Sequence, residues 1–282
     1  MLLVQQITER IQQRKRESSS RLESMQDAPR YKCSLCQDNE WIVDPKHNWQ
    51  AIPCSCAEKN RLQRRLKNAL IPEEFTEAKF ENYQVISQIQ KRLKETAIHY
   101  LRNFPQIQGS TQNSLGFIAE VGETQIKRLP DLTQRAEMTE KYNSFGLGKT
   151  HLQMAMAKHL LHKGHAVLCI SDVTFMHDLA QAKRISDGGT EFYRLLGAVT
   201  EAPILIWDDL GKSKHTETKE ELYYWIINDR YKARKPIIFS SNEDDLTLSE
   251  KLGDAAYSRL YSMAKDYFVR GKGVDYRVSH RL

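Results

Sequence analysis

The chain has 282 residues, of which 40% are hydrophobic and 28% are charged, and its net charge is +6. This length allows one substantial core and a small second module, so we expect two domains, and the mild basic excess is compatible with a nucleic-acid partner. The sequence turns polar after residues 1–4 and has no apolar run of membrane-span length, so we expect no secretory signal, no membrane association and a cytoplasmic location.

The N-terminal part of the chain is predicted to be helical on both sides of a cysteine-rich stretch. Apolar residues at helical spacing predict a polar helix at 2–27 and another helix at 57–70. One face of the helix at 57–70 is basic, and it is either solvated or in contact with DNA. The basic residues of this face are Arg61, Arg64, Arg65 and Lys67. A further helical pattern covers 85–104, and the polar stretch 105–113 is typical of a hinge.

Beyond this hinge the sequence alternates short apolar runs with helical patterns. We therefore expect an N-terminal module at 1–105 and a second domain at 106–282. The alternation predicts an α/β fold, in which a parallel sheet is covered by helices on both faces. The predicted strands are 115–121, 166–170, 204–207 and 237–240, and the predicted helices are 151–163, 172–185, 190–198 and 217–234.

A glycine-rich segment at 144–150 leads into the first helix of this domain and ends in Gly148, Lys149 and Thr150. Such a loop turns backbone N–H groups toward phosphates, while the lysine neutralises the terminal phosphates and the hydroxyl holds Mg²⁺. The helix start adds its dipole. We therefore expect ATP and Mg²⁺ at this loop. The expected nucleotide contacts are Ser144, Phe145, Gly146, Leu147, Gly148, Lys149, Thr150 and His151.

Asn143 stands where the first glycine of this phosphate loop belongs. The preceding strand ends in Gly122, and omitting residues 123–143 leaves a complete G-x-x-x-x-G-K-T run. We infer that 123–143 is an insertion that splits the loop after its first glycine, since closing such an excursion costs little. The alternative is that Gly122 is an ordinary turn glycine. The insertion is expected to project as a flap with a helix at 131–142, capped by Asp131.

Acidic and amide side chains follow two of the predicted strands. Asp208 ends a buried strand and is expected to hold Mg²⁺ together with Thr150, while Asp209 is expected to activate the attacking water. Asn242 follows the next strand and is expected to orient that water, although a plain turn residue is the alternative.

Four of the five cysteines have the spacing C-x2-C-x17-C-x-C, namely Cys33, Cys36, Cys54 and Cys56. In a reducing compartment cysteines are thiols or metal ligands, and two pairs at the base of a hairpin can converge on one Zn²⁺ that stabilises a module too small for a core. Reduced thiols without a metal are the alternative. His47 lies at the far tip of the hairpin and is left out. Cys169, in an apolar run, is expected to be a buried structural thiol.

From about residue 114 onward the chain resembles the replicative helicase loaders of bacteria and their phages, the DnaC- and DnaI-like AAA+ ATPases. The segments that carry this resemblance are 148–152, 208–211, 226–231, 241–242 and 252–260. The resemblance implies that Asn242 is sensor 1, Arg259 the arginine finger at a subunit boundary, and Arg277 sensor 2. Both arginines would then stabilise the charge on the transferring phosphoryl group. The interrupted phosphate loop departs from the family pattern.

The cysteine module looks like the helicase-binding domain of DnaI-type loaders and is followed by the family phrase at 71–75. This implies an ATP-dependent loader, encoded by a bacterium, phage or prophage, that binds a hexameric DnaB-type helicase, self-associates and contacts single-stranded DNA. One alternative is an IstB-like transposition helper ATPase, which the cysteine module disfavours. Another is a non-hydrolysing adaptor that holds ATP as a structural ligand.

Overall fold

The computed structural model describes residues 31–44, 46–47, 50–185 and 187–275. The predicted helix at 2–27 and the candidate residue Arg277 lie outside these ranges. The described residues divide into two compact units, one that ends at Arg61 and one that begins at Leu62. This division falls earlier in the chain than the boundary at 105 that the sequence suggested.

The first unit contains a small hairpin. Its strands, β1 (Trp41–Val43) and β2 (Ala51–Pro53), pair antiparallel, with Trp41 opposite Pro53. Helix α1 (Ser55–Asn68) starts two residues after β2 and continues past the boundary between the units. The predicted hairpin and the helix that follows it are confirmed within the described residues.

The second unit is built on a five-stranded sheet in which every neighbouring pair of strands is parallel. Its strands are β3 (Leu115–Ala119), β4 (Val167–Ser171), β5 (Ile204–Asp208), β6 (Ile237–Ser240) and β7 (Phe268–Gly271). The order across the sheet is β4-β5-β6-β3-β7. The predicted parallel sheet is confirmed. The edge strand β7 was not predicted, because four residues that include an exposed arginine carry little strand signal.

Nine α-helices of the described residues belong wholly to this unit. They are α2 (Gln88–Ile107), α3 (Glu123–Arg128), α4 (Leu132–Lys141), α5 (Lys149–His162), α6 (Asp172–Ala182), α7 (Thr190–Glu201), α8 (Glu217–Lys232), α9 (Asp245–Leu252) and α10 (Asp254–Ala264). Alternate residues of β5 face opposite sides of the sheet, so Leu205 and Trp207 join one core while Ile206 joins the other. Helices α2 and α5 cover one face, and α6 to α10 cover the other. In the described part of the chain, no helix is long and apolar enough to cross a membrane.

Helix α2 explains why the second unit starts before residue 105. Four of its apolar residues are buried in the core beside β3, namely Leu93, Ala97, Tyr100 and Phe104. The predicted hinge at 105–113 is wrong. The helix continues to Ile107, because a proline in the last turn removes only one backbone hydrogen bond. Asn113 is fully buried and its Nδ2 donates to the carbonyl oxygen of Arg234 at 2.8 Å, which anchors the segment.

Candidate nucleotide-binding site

The phosphate-loop segment lies between α4 and α5 and adopts a conformation that requires two of its glycines. Gly146 and Gly148 have φ angles of +64° and +77°, in the left-handed region that favours glycine. A Cβ atom on Gly148 would also lie 2.5 Å from a ring carbon of Tyr83. Helix α5 begins immediately afterwards, at Lys149. The loop therefore places backbone N–H groups at a helix start, which is a favourable place for phosphate.

Asn143, the residue in place of the first glycine, organises this loop. Its Nδ2 donates to the carbonyl oxygens of Phe145 (2.9 Å) and Gly273 (2.8 Å), and its Oδ1 accepts from the Phe145 amide (3.1 Å). The Gly273 amide donates to the Asn143 carbonyl oxygen at 2.7 Å. Asn143 thus ties the loop to the chain that follows β7. In the sequence, the signal for this role was an amide side chain at the position where a glycine belongs.

Both ends of the insertion meet at Asn242. The backbone amide of Glu123 donates to the Asn242 carbonyl oxygen (3.0 Å), and the Ser144 hydroxyl donates to Asn242 Oδ1 (3.3 Å). The Gly122 amide donates to the Asp244 carboxylate (2.9 Å). This arrangement supports the split-loop interpretation, which remains a proposal.

The insertion contains two helices that differ in their packing. The helix predicted at 131–142 is confirmed as α4, and the Asp131 carboxylate caps it by accepting from the Thr133 amide. No residue of α4 is buried, and Leu132 is 75% exposed. The unpredicted helix α3 instead packs inward through Ile126 and forms an ion pair to Glu250 from Arg128. Only the second half of the insertion therefore resembles the expected flap.

Deleting residues 123–143 should preserve ATP binding, with a Kd within a few-fold of the intact chain. The deletion joins Gly122 to Ser144 and so leaves an uninterrupted phosphate loop, in which Gly122 takes the place of Asn143. Binding is measured by calorimetry, with Lys149→Ala in the shortened chain as the control that should not bind. Loss of binding in a shortened chain that still melts cooperatively would show that the segment is itself part of the site.

Thr150 and Asp208, the predicted magnesium ligands, lie side by side. The Thr150 hydroxyl donates to Asp208 Oδ1 at 3.0 Å, and the Ser240 hydroxyl donates to the same oxygen at 2.6 Å. Burial raises the pKa of Asp208, and the neighbouring charge of Asp209 adds to this, while the hydrogen bond from Ser240 opposes it. A hydroxyl and a carboxylate are hard oxygen ligands that suit Mg²⁺, and the cation would stabilise the ionised form of Asp208.

Asn242 connects the phosphate-loop lysine to the second acidic residue. Lys149 is buried, and its Nζ donates to Asn242 Oδ1 at 2.6 Å and to the Ser144 carbonyl oxygen at 3.0 Å. The Nδ2 of Asn242 donates to Asp209 Oδ1 at 3.1 Å. Asp209 has a φ angle of +53°, an uncommon conformation that turns it away from the strand direction of Asp208. The amide thereby fixes the spacing between the phosphate-loop lysine and a candidate general base.

These residues line a cleft of 340 Å³, and part of its wall comes from residues that sequence reasoning missed. Tyr83 donates its hydroxyl to the Leu147 carbonyl oxygen at 2.7 Å, and its ring lies 5.6 Å from the ring of His151. The missed residues are Phe75, Asn82, Tyr83, Gln84, Gln90 and Lys212. Aromatic rings beside amides suit a nucleotide base. Of these residues, Phe75 belongs to the family phrase at 71–75.

Arg259, the predicted arginine finger, is not among the residues that line the cleft. Its side chain lies on α10, where Nη1 donates to the Ala255 carbonyl oxygen and the guanidinium stands 5.2 Å from the ring centre of Tyr224. Among the described lining residues there is no arginine. A role for Arg259 in this reaction therefore requires the cleft of another subunit.

The predicted zinc ligands lie together in the first unit, where the four sulfur atoms are within 4.8 Å of one another. The Sγ atoms of Cys33 and Cys54 are 3.7 Å apart, and those of Cys36 and Cys56 are 3.3 Å apart. A tetrahedron with Zn–S bonds of about 2.3 Å has edges of about 3.8 Å, so the arrangement fits Zn²⁺. Backbone amides of Cys36 and Leu35 lower the pKa of Cys33 to about 7, whereas the side-chain hydrogen bond with Cys36 raises the pKa of Cys56. The distances between the sulfur atoms therefore carry the case for a metal site.

The predictions for His47 and Cys169 are confirmed. His47 lies beside Asp44, with its Nδ1 3.3 Å from the carboxylate, and does not belong to the sulfur cluster. Cys169 is 4% exposed, and burial raises the pKa of its thiol to about 12. It is therefore an inert residue of the core.

A profile of the family described as IstB-like ATP binding protein matches residues 111–281, which is more than half of the chain. The chain belongs to this family. As an IstB-like protein it is a P-loop ATPase. The matched range includes the described phosphate loop, both acidic residues and Asn242.

Two curated proteins are similar in sequence to this IstB-like chain. The phage-like element PBSX protein XkdC of Bacillus subtilis (strain 168) is 25% identical over 99% of this chain and 97% of its own length. The insertion sequence IS21 putative ATP-binding protein of Pseudomonas aeruginosa is 24% identical over 68% of this chain and 71% of its own. The first match includes the cysteine-rich unit.

Solved structures show the same fold. The DnaC helicase loader has a TM-score of 0.52 and 22% identity, over 68% of this chain and 97% of that one. DnaI has a TM-score of 0.50 and 18% identity, over 73% of this chain and 94% of that one. The resemblance to the loader family is confirmed, and the predicted AAA+ fold is confirmed with it.

Proposed function

We propose that this chain is an ATP-controlled loader that binds a hexameric DnaB-type replicative helicase and delivers it onto single-stranded DNA in the bacterial cytoplasm. The observation that carries the proposal is the joining of a cysteine-clustered unit to an ATPase whose fold matches the DnaC loader. ATP binding and hydrolysis would set when the helicase is held and when it is released. The match to a phage-like element protein supports a phage or prophage origin.

The hairpin of the first unit offers a surface for the helicase. Trp41 and Val43 lie two residues apart and are 55% and 59% exposed, so they share one face of β1. Their cross-strand partners Pro53 and Ala51 are exposed as well. Exposed apolar surface of this kind is typical of a protein interaction site.

The test is co-elution of the full chain with DnaB-type hexamers, followed by helicase loading onto circular single-stranded DNA. Trp41→Ser with Val43→Ser should abolish co-elution and leave ATP hydrolysis intact. Leu132→Ser removes an equally exposed apolar side chain from α4 and serves as the matched control. If the intact chain captures no DnaB-type helicase, the proposed function is wrong. If the hairpin variant still captures the helicase, the proposed role of this surface is wrong.

The second candidate function is a transposition helper. It is favoured by the family match itself and by the relative from the IS21 insertion sequence. A transposition helper would stimulate strand transfer by an IS21-type transposase without any helicase. Both activities are measured on the same preparation. Stimulation of strand transfer without helicase loading would favour the transposition helper over the loader.

Arg259→Ala should bind ATP normally and fail to hydrolyse it, because we propose that this arginine completes the cleft of a neighbouring subunit. Mixing this variant with Lys149→Ala should restore part of the activity, since one chain then supplies an intact cleft and the other supplies the arginine. Hydrolysis is measured over a range of mixing ratios in preparations that form oligomers. No recovery in well-mixed oligomers would contradict a shared site.

A further inference from the structure

Lys212 is a second lysine in the cleft, outside every motif of the sequence analysis. It closes a tight turn after β5, in which its backbone amide donates to the Asp209 carbonyl oxygen at 3.0 Å. Its side chain lines the cleft together with Lys149 and Thr150. Its Nζ lies 5.3 Å from the ring centre of Phe145, a residue of the phosphate loop. The turn therefore holds a cationic side chain over the loop that faces the phosphates.

The anionic partner of Lys212 in the structure is the first residue of the insertion. Its Nζ lies 3.6 Å from Glu123 Oε2, and the other carboxylate oxygen of Glu123 pairs with Lys127. Partial burial alone would raise the pKa of Glu123, but the hydrogen bond from Lys127 and the charge of Lys212 outweigh it and lower the pKa. Glu123 is therefore ionised at neutral pH.

This ion pair is suited to exchange. Charge-assisted hydrogen bonds between an ammonium group and a carboxylate are about 2.7–2.9 Å long, so a separation of 3.6 Å is a loose contact. Glu123 keeps its contact to Lys127 if Lys212 moves away. A terminal phosphate carries more negative charge than one carboxylate and offers three oxygens to a lysine.

We propose that Lys212 is a phosphate-binding residue of the cleft, and that the terminal phosphate of ATP takes Lys212 from Glu123. ADP lacks this phosphate and leaves the ion pair in place. The start of α3 thereby loses one of its two cationic contacts when ATP is bound and regains it after hydrolysis. The insertion then reports which nucleotide occupies the cleft. This inference rests on the nucleotide binding in the cleft and does not require helicase loading.

The experiment measures Kd of the full chain for a non-hydrolysable ATP analogue and for ADP, both with Mg²⁺. Lys212→Ala should raise the Kd of the ATP analogue about tenfold or more, as loss of one charge-assisted contact predicts, and change that of ADP less than about threefold. Glu123→Gln should lower the Kd of the ATP analogue, because it removes the competing carboxylate. Lys127→Ala is the matched comparison, since it removes the other cation at Glu123 and does not line the cleft. It leaves the competing carboxylate in place, so it should not lower the Kd of the ATP analogue.

A double variant tests the exchange itself. In the Lys212→Ala background, Glu123→Gln should no longer change the ratio of the two Kd values. An equal effect of Lys212→Ala on both nucleotides, or no effect, would overturn the proposal. Lys212 would then serve only to hold Phe145 and the insertion in place. If the nucleotide does not bind in this cleft, Lys149→Ala would leave nucleotide binding intact. That result is distinguishable from a failure of the proposal for Lys212. Melting curves without nucleotide establish that each variant is folded.

Discussion

Asp209→Asn is expected to bind ATP as the unchanged chain does and to hydrolyse it about 10²- to 10⁴-fold more slowly, the usual contribution of a general base. Asp209 contacts the Nδ2 of Asn242 and lines the cleft, which is where a base for the attacking water belongs. The substitution is well matched, because asparagine tolerates the left-handed φ angle of +53° that this position requires. The change therefore removes the charge without straining the backbone.

Single-turnover hydrolysis and equilibrium binding separate the two effects. The companion variant Lys149→Ala should abolish nucleotide binding, since it removes the buried cation held between Ser144 and Asn242. Normal hydrolysis by Asp209→Asn would move the role of base elsewhere, and Asp208 is then the first residue to test.

Cys33→Ser is expected to release the zinc ion and to unfold the first unit. The purified chain should carry about one zinc per molecule, because four sulfur atoms lie at distances that fit a tetrahedral site. Structural zinc sites contribute apparent binding free energies of about 10–16 kcal/mol, far more than a hairpin of two three-residue strands supplies by itself. A strong chelator should have the same effect as the substitution.

Elemental analysis, circular dichroism and nucleotide binding check this result together. ATP binding should persist, since the cleft and both of its flanking cores lie beyond Leu62. Cys169→Ala is the matched control, because it removes the fifth cysteine and should leave the zinc content unchanged. A chain purified without chelator that contains no zinc would exclude the metal site, and the cysteines would then be reduced thiols.

Four of the five sheet strands and the phosphate-loop side of the cleft could be predicted from the sequence. Thr150, Asp208 and Asn242 each stand next to a strand or helix end that hydrophobic patterning locates. Because the carboxyl ends of parallel strands meet at one edge of a sheet, residues far apart in sequence could be placed together without a structure. The cysteine spacing likewise predicted that the two cysteine pairs lie close together, since a hairpin brings its two ends together.

Features that depend on contacts between distant segments could not be predicted from the sequence. The burial of α2, the strand β7 and the wall residue Tyr83 follow from surfaces presented by other elements, which no local pattern encodes. The same is true of Lys212, whose position in the cleft depends on a turn after β5 and whose partner Glu123 begins an insertion. Local propensity predicts where an element starts and ends, whereas side-chain partners across the fold are set by packing.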